Sequence, residues 1–111
     1  MAIVAEPTTP EERTEHPYVI RMPGVAGGRP VVRNSRTAVW HIARLFRAGY
    51  TASEIAQEFE HLSLAAIYDA ISYYLDHRSE VDGDIAANTV EAALREARAA
   101  RDAQGRVRFS D

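Results

Sequence analysis

The apolar pattern changes period at Val39, and that change constrains the fold more than any other feature of the chain. Upstream, apolar residues come in short runs rich in β-formers, broken by Pro23-Gly24, Gly27-Gly28 and Asn34-Ser35. Downstream, Val39, Ile42, Ala43, Leu45 and Phe46 recur at steps of three and four, as one face of a helix does. This order predicts a mainly α fold, with a small N-terminal β-ribbon followed by a helix-turn-helix bundle and a C-terminal helix. Residues 17–22 read as one strand. Residues 29–33 read as a second, with Pro30 near its start, where a missing donor does least harm. Residues 36–39 read either as a third short strand or as the run into the first helix.

Gly49 ends the first helix in the position where positive φ costs little. Thr51-Ala52-Ser53-Glu54 has the spacing of a capping box, in which the hydroxyl and the carboxylate each satisfy an orphan amide. A short second helix follows, with Ile55, Ala56 and Phe59 inward, ending near His61. Ser63 caps a third helix whose stripe is Leu64, Ile67, Ala70, Ile71, Tyr74 and Leu75, and whose end is expected between Arg78 and Asp84. Thr89 is expected to open a fourth helix over residues 90–103. Its stripe, Val90, Ala93, Leu94 and Ala97, is too thin to hold a core alone, so it is expected to pack on a partner. A length of 111 residues fits one domain. The expected division is a flexible arm at 1–15, rich in Pro, Thr and Glu, a ribbon and helix-turn-helix domain at 16–84, and a partner-binding helix and tail at 85–111.

Charge is strongly segregated. From His16 to Ser53 there is no acid but six arginines, Arg21, Arg29, Arg33, Arg36, Arg44 and Arg47. From Glu54 to Glu91 nine acids stand against Arg78 alone. Either the first block presents a cationic surface to an anion, or the two blocks face each other and cancel. All 13 basic residues are arginine, whose planar fork suits phosphate and carboxylate. With no cysteine, disulfides and thiolate zinc sites are excluded, and no apolar run reaches the ~20 residues of a membrane-spanning helix. The N-terminus lacks the marks of a secretory signal, so a cytoplasmic protein is expected.

Catalytic signatures are missing from the sequence: there is no nucleophile elbow, phosphate-cradling glycine loop or nucleophile–histidine spacing, so no enzyme is expected. No cofactor is expected either. His16, His41, His61 and His77 lack HxxxH and HxH spacing, so a metal site would need long-range convergence, and none is expected. The acidic cluster Asp76, Glu80, Asp82 and Asp84 reads as a solvated helix end rather than a calcium loop. Trp40 and the tyrosines Tyr18, Tyr50, Tyr68, Tyr73 and Tyr74 read as core.

Residues 51–75 have the length and pattern of a helix-turn-helix, with the small Ala56 where the two helices approach. The outer face of the third helix shows Ala65, Tyr68, Asp69, Ser72 and Asp76, and Asp69 would repel phosphate. The ribbon is the better electrostatic candidate: Arg29 and Arg33, four apart, share a face of a regular strand, and Arg36 follows in the turn. The candidate DNA contacts are therefore Arg29, Arg33 and Arg36, with Ser63 and Tyr68 on the third helix. Solvated edge-strand arginines are the competing reading.

The run from Gly27 to Val39, then Gly49-Tyr50-Thr51-Ala52-Ser53-Glu54-Ile55, then Leu62-Ser63 and Ala70-Ile71-Ser72-Tyr73-Tyr74, resembles the prokaryotic domain-of-unknown-function 433 family. That family has a Gly-Gly-x-Pro strand, a Gly-Thr-Arg turn and a Gly-x-x-x-x-Glu-Ile entry to a helix-turn-helix. Asn34-Ser35 replaces the Gly-Thr, and asparagine also tolerates positive φ. The resemblance implies a dimeric helix-turn-helix protein similar to antitoxins encoded beside PIN-type ribonuclease toxins. It implies operator DNA, a PIN-type toxin and a second copy of the chain as partners. The C-terminal segment would wrap the toxin, with Arg101, Arg106 or Arg108 pairing with an acidic site, Phe109 as an apolar anchor, and Leu94 and Arg98 as further partner-binding residues. The alternative is a dimeric protein-interaction adaptor without DNA binding.

Overall fold

The computed structural model describes residues 11–89 together with Leu94, Ala97 and Arg98. Three short strands, β1 (Glu12–Arg13), β2 (Val19–Arg21) and β3 (Val31–Val32), form an antiparallel sheet in the order β1-β2-β3. Val19 stands opposite Val32, and Ile20 opposite Val31. The two pairs point to opposite faces, and both faces are covered. Val19 and Val32 join the main helical core, while Ile20 and Val31 pack with Ala38 in a smaller cluster. Trp40 lies half-buried against both.

β1 corrects the expected flexible arm in part. Glu12 pairs with Arg21 and Arg13 with Ile20, although this stretch carries no apolar period from which a strand is legible. Thr14 fixes the approach to β2 by donating its hydroxyl to the Val19 carbonyl at 2.7 Å. Residues 1–10 of the arm lie outside the described residues. At the other end of the ribbon, Asn34 takes φ +64°, as the turn requires. The Ser35 hydroxyl donates to the Val32 carbonyl and accepts from the Thr37 amide. Ala38 then makes a single bridge to Val31, and the helix starts on the next residue, so residues 36–39 serve as both bridge and run-in.

Helices α1 (Val39–Arg47), α2 (Ala52–Glu58), α3 (Leu64–Asp76) and α4 (residues 78–89) follow. Gly49 after α1 has φ +102°. The capping box at α2 is complete: Thr51 Oγ1 accepts from the Glu54 amide at 3.1 Å, and Glu54 Oε1 accepts from the Thr51 amide at 2.9 Å. Ser63 caps α3 by accepting from the Ala66 amide at 3.1 Å. Ile42, Ile55, Ile67 and Val81, one from each helix, are fully enclosed, each contributing about 1.5–3 kcal/mol by burial. No helix among the described residues is long and apolar enough to cross a membrane.

Three boundaries differ from the sequence expectation. α2 stops at Glu58, short of His61. α3 stops at Asp76, and α4 begins at residue 78 rather than after Thr89. No glycine or proline marks the break at His77; tertiary hydrogen bonds hold it instead. The hydroxyls of Tyr73 and Tyr74 reach across to Glu80 and Asp82, each at 2.8 Å, and the His77 ring stacks on Tyr73. Val81 and Ile85 of α4 are consequently core, so the expected boundary at 84–85 runs through a helix. Leu64 and Leu75 are exposed, because the buried side of α3 is the stripe of Ala66, Ile67, Ala70, Ile71, Tyr73 and Tyr74.

Candidate nucleic-acid interface

The segment from Phe59 to Ser63 turns the chain between α2 and α3, with Leu62 buried as its anchor and Ala56 packed against the core. α3 therefore presents its N-terminus to solvent, and its first-turn amides carry the partial positive charge of a helix start. The end of the ribbon meets this N-terminus. The Thr37 hydroxyl lies 3.0 Å from His61 Nε2, tying the two turns together. An open groove of about 630 Å³ results, lined by Arg33 and Asn34 on the ribbon side and by His61, Leu62, Ser63 and Ala66 on the helix side. Tyr68, 57% exposed, stands beside the groove on the outer face of α3, next to Tyr18, Ala65 and Ser72. Arg33, Ser63 and Tyr68, far apart in sequence, thus share one side of the molecule.

The arginines of the acid-free block do not form one cationic patch. Arg29 Nε lies 3.3 Å from Asp84, Arg33 Nε 3.4 Å from Glu11, and Arg47 Nη1 3.0 Å from Asp82, while Arg21 is paired with Glu80. Three of these four pairs join the acid-free block to the acidic one, which is the cancelling arrangement that the charge order leaves open. Glu80, Asp82 and Asp84 accordingly lie paired within α4 rather than at a solvated helix end, whereas Asp76, the exposed last residue of α3, is at one. Burial pushes the Asp84 carboxyl up, against the pull of Arg29. The shared face of Arg29 and Arg33 lacks its premise too, since β3 comprises only Val31 and Val32 and leaves both arginines outside the strand. Among the described residues, Arg36 and Arg44 are exposed and have no ion-pair partner.

Asp69, which the sequence places as a repellent charge on the outer face of α3, is turned back into the protein. Its carboxylate accepts from the Tyr18 amide at 2.8 Å and lies 3.2 Å from His16 Nδ1. His16 Nε2 lies 2.9 Å from Asp76 Oδ2. Burial pulls the His16 pKa down, but the hydrogen bonds of Asp69 and Asp76 raise it by more, so the net shift is upward. Glu15 is held below the usual carboxylate range by its hydrogen bond to His77. This cluster joins residues some 60 positions apart, and no spacing signal in the sequence reveals it.

Of the aromatic residues expected in the core, Tyr73 and Tyr74 are buried, whereas Tyr18, Tyr50 and Tyr68 are exposed. The helical pattern separates them only if the face is known: Tyr73 and Tyr74 follow Ala70 and Ile71 by one turn, and Tyr68 lies opposite. Of the expected partner-binding residues, Leu94 is 57% exposed and Arg98 is exposed, both helical. Arg101, Arg106, Arg108 and Phe109 lie outside the described residues.

Comparison with known proteins finds a family model, described as protein of unknown function DUF433, that matches residues 19–74, from β2 to the end of α3 and including the groove. A solved structure, the crystal structure of a DUF433 member protein from Anabaena variabilis, is similar with a TM-score of 0.57. It is 28% identical, over 62% of this chain and 68% of that one. No curated protein matches.

Proposed function

The chain belongs to the DUF433 family, and from that premise we propose that it is the antitoxin-like member of a type II toxin–antitoxin pair. As a dimer it binds operator DNA, and through its C-terminal segment it neutralises a PIN-type ribonuclease toxin. The observation that carries the DNA half is the meeting of the ribbon turn with the start of α3. Arg36, which has no ion-pair partner among the described residues, reaches phosphate, and Arg33, which lines the groove, exchanges its Glu11 partner for a phosphate oxygen; the Ser63 hydroxyl and the first-turn amides of α3 take phosphate oxygens, and Tyr68 packs on the adjoining sugar and base edges. Asp69 does not oppose this, because its charge is spent on His16 and the Tyr18 amide. Arg29, paired with Asp84 and not among the residues lining the groove, serves the scaffold. In the toxin half, exposed Leu94 offers an apolar contact. Arg98, Arg101, Arg106 and Arg108 pair with the acidic metal-binding site of the toxin, and Phe109 anchors the end.

A second reading, a dimeric adaptor that binds no DNA, is favoured by the four ion-paired arginines and by exposed Tyr18 and Tyr68 on one face. Titrating the purified full chain with its own promoter fragment at low salt, with unrelated duplex as competitor, separates the two. Retained binding in the presence of the competitor supports the antitoxin reading, and none at micromolar protein supports the adaptor. In the same protein, Leu94→Glu is expected to weaken inhibition of the ribonuclease encoded beside it at least tenfold. Undiminished inhibition would remove the tail from the proposal.

A further inference from the structure

The cluster at the α3–α4 break has the makings of a metal centre. Glu15, His16 and His77 each offer one ligand atom, and the three atoms lie within 4.8 Å of one another. Glu15 Oε2 is 2.5 Å from His77 Nε2 and 3.9 Å from His16 Nε2. Asp76 Oδ2 lies 2.9 Å from His16 Nε2 but outside the mutual reach of the other three, and supplies a fourth once its exposed side chain rotates toward them. A tetrahedral zinc ion with bonds of about 2.0–2.1 Å holds its ligand atoms about 3.3 Å apart, so these separations straddle the required value. The carboxylates at Glu15 and Asp76 are 58% and 59% exposed and can rotate to close the shell.

The groups behind the histidines make the stronger argument. A metal-bound imidazole ordinarily gives its other ring nitrogen to a carboxylate, which fixes the tautomer and aims the free lone pair at the ion. His16 has that arrangement: its Nδ1 lies 3.2 Å from Asp69, whose second oxygen is fixed by the Tyr18 amide. His77 Nδ1 faces Glu80 at 3.8 Å, outside hydrogen-bond distance, and the ring is oriented instead by stacking on Tyr73. His16 thereby turns Nε2 toward Asp76 and Glu15, and His77 turns Nε2 toward Glu15. His16 is 7% exposed, so its orientation is set by packing as well as by hydrogen bonds.

We propose that Glu15, His16, Asp76 and His77 bind one divalent transition-metal ion, with zinc the expected species. Two imidazoles and two carboxylates suit zinc rather than magnesium or calcium, which prefer all-oxygen shells. The ion would fasten the approach to β2, where Glu15 and His16 lie, to the start of α4, and so fix the direction in which α4 leaves the domain. This inference does not depend on the DNA or toxin reading.

The test uses the chelator-stripped full chain. Calorimetric titration with zinc chloride should give one site per chain, and a hundredfold excess of zinc over Kd should raise the unfolding midpoint by about 10 °C or more. Cobalt(II) should give the visible bands of a tetrahedral ion, and magnesium should do nothing. His77→Gln and Glu15→Gln replace partly exposed side chains and should keep the metal-free midpoint within a few degrees. Each should weaken zinc binding tenfold or more and abolish the cobalt bands. No zinc uptake at micromolar concentrations, or His77→Gln binding zinc as the unaltered chain does, would overturn the proposal.

Discussion

Replacing Arg21 with Met and Glu80 with Gln, singly and together, tests whether the opposed charge blocks hold the ribbon to α4. Arg21 Nη2 donates to the Tyr73 hydroxyl at 2.8 Å, Tyr73 donates to Glu80 at 2.8 Å, and Arg21 pairs directly with Glu80, closing a triangle. The two charged side chains are 31% and 32% exposed. An exposed pair is worth about 0.2–1 kcal/mol, and breaking a fully buried one costs about 3–5 kcal/mol. With water reaching a third of each side chain, screening moves the figure toward the lower range. Each single replacement should cost about 1.5 kcal/mol, with a coupling between them of about 1 kcal/mol. At about 4–8 °C per kcal/mol for a domain of this size, the single variants should melt roughly 6–12 °C lower. Thermal unfolding followed by circular dichroism, in chelator, completes the cycle. At about 1 M salt, where the screening length falls to about 3 Å, the coupling should shrink by more than half. Coupling indistinguishable from zero at low salt would mean that the pair does not hold the ribbon to α4, leaving Arg21 a free cation.

Thr51→Ala should cost about 1 kcal/mol in urea unfolding and Thr51→Gly only a few tenths; equal losses would mean that the capping box contributes nothing. Ala26 sits at φ +52°, where a side chain is strained, so Ala26→Gly should raise stability by up to about 1 kcal/mol, and a lowered midpoint would contradict the strain. Burial first, and then Glu80 and Asp82, raise the pKa values of the Tyr73 and Tyr74 hydroxyls. Because the folded values exceed the unfolded one, their contribution is complete below about pH 10 and is lost as pH rises through the folded values. Phenolate absorbance should therefore show a late phase coincident with unfolding, reduced in Tyr74→Phe; a single early step for all five tyrosines, with the fold intact, would exclude it.

Local signals carried most of the fold. The period change at Val39, the capping box at Thr51, the Ser63 cap and the tolerance of Asn34 for positive φ each act within a few residues, and each is present as read. Long-range contacts produced the departures. Nothing near His77 announces a break, because Tyr73 and Tyr74 make it by reaching Glu80 and Asp82. β1 exists because β2 offers it an edge, and Val81 and Ile85 are core because the chain turns early. The residues of the candidate site could be named from the sequence, but not their arrangement. Arg33, Ser63 and Tyr68 do come to one side, while Arg29 is drawn to Asp84, a partner that charge order alone does not identify.

The salt dependence of promoter binding reports which arginines meet phosphate. If Arg33 and Arg36 contact phosphates and Arg29 does not, Arg33→Ala and Arg36→Ala should each reduce the slope of log affinity against log salt by about 0.9, and Arg29→Ala should leave it unchanged. An Arg29→Ala effect as large as the other two, unchanged slopes for Arg33→Ala and Arg36→Ala, or no binding even at low salt would contradict the proposed interface.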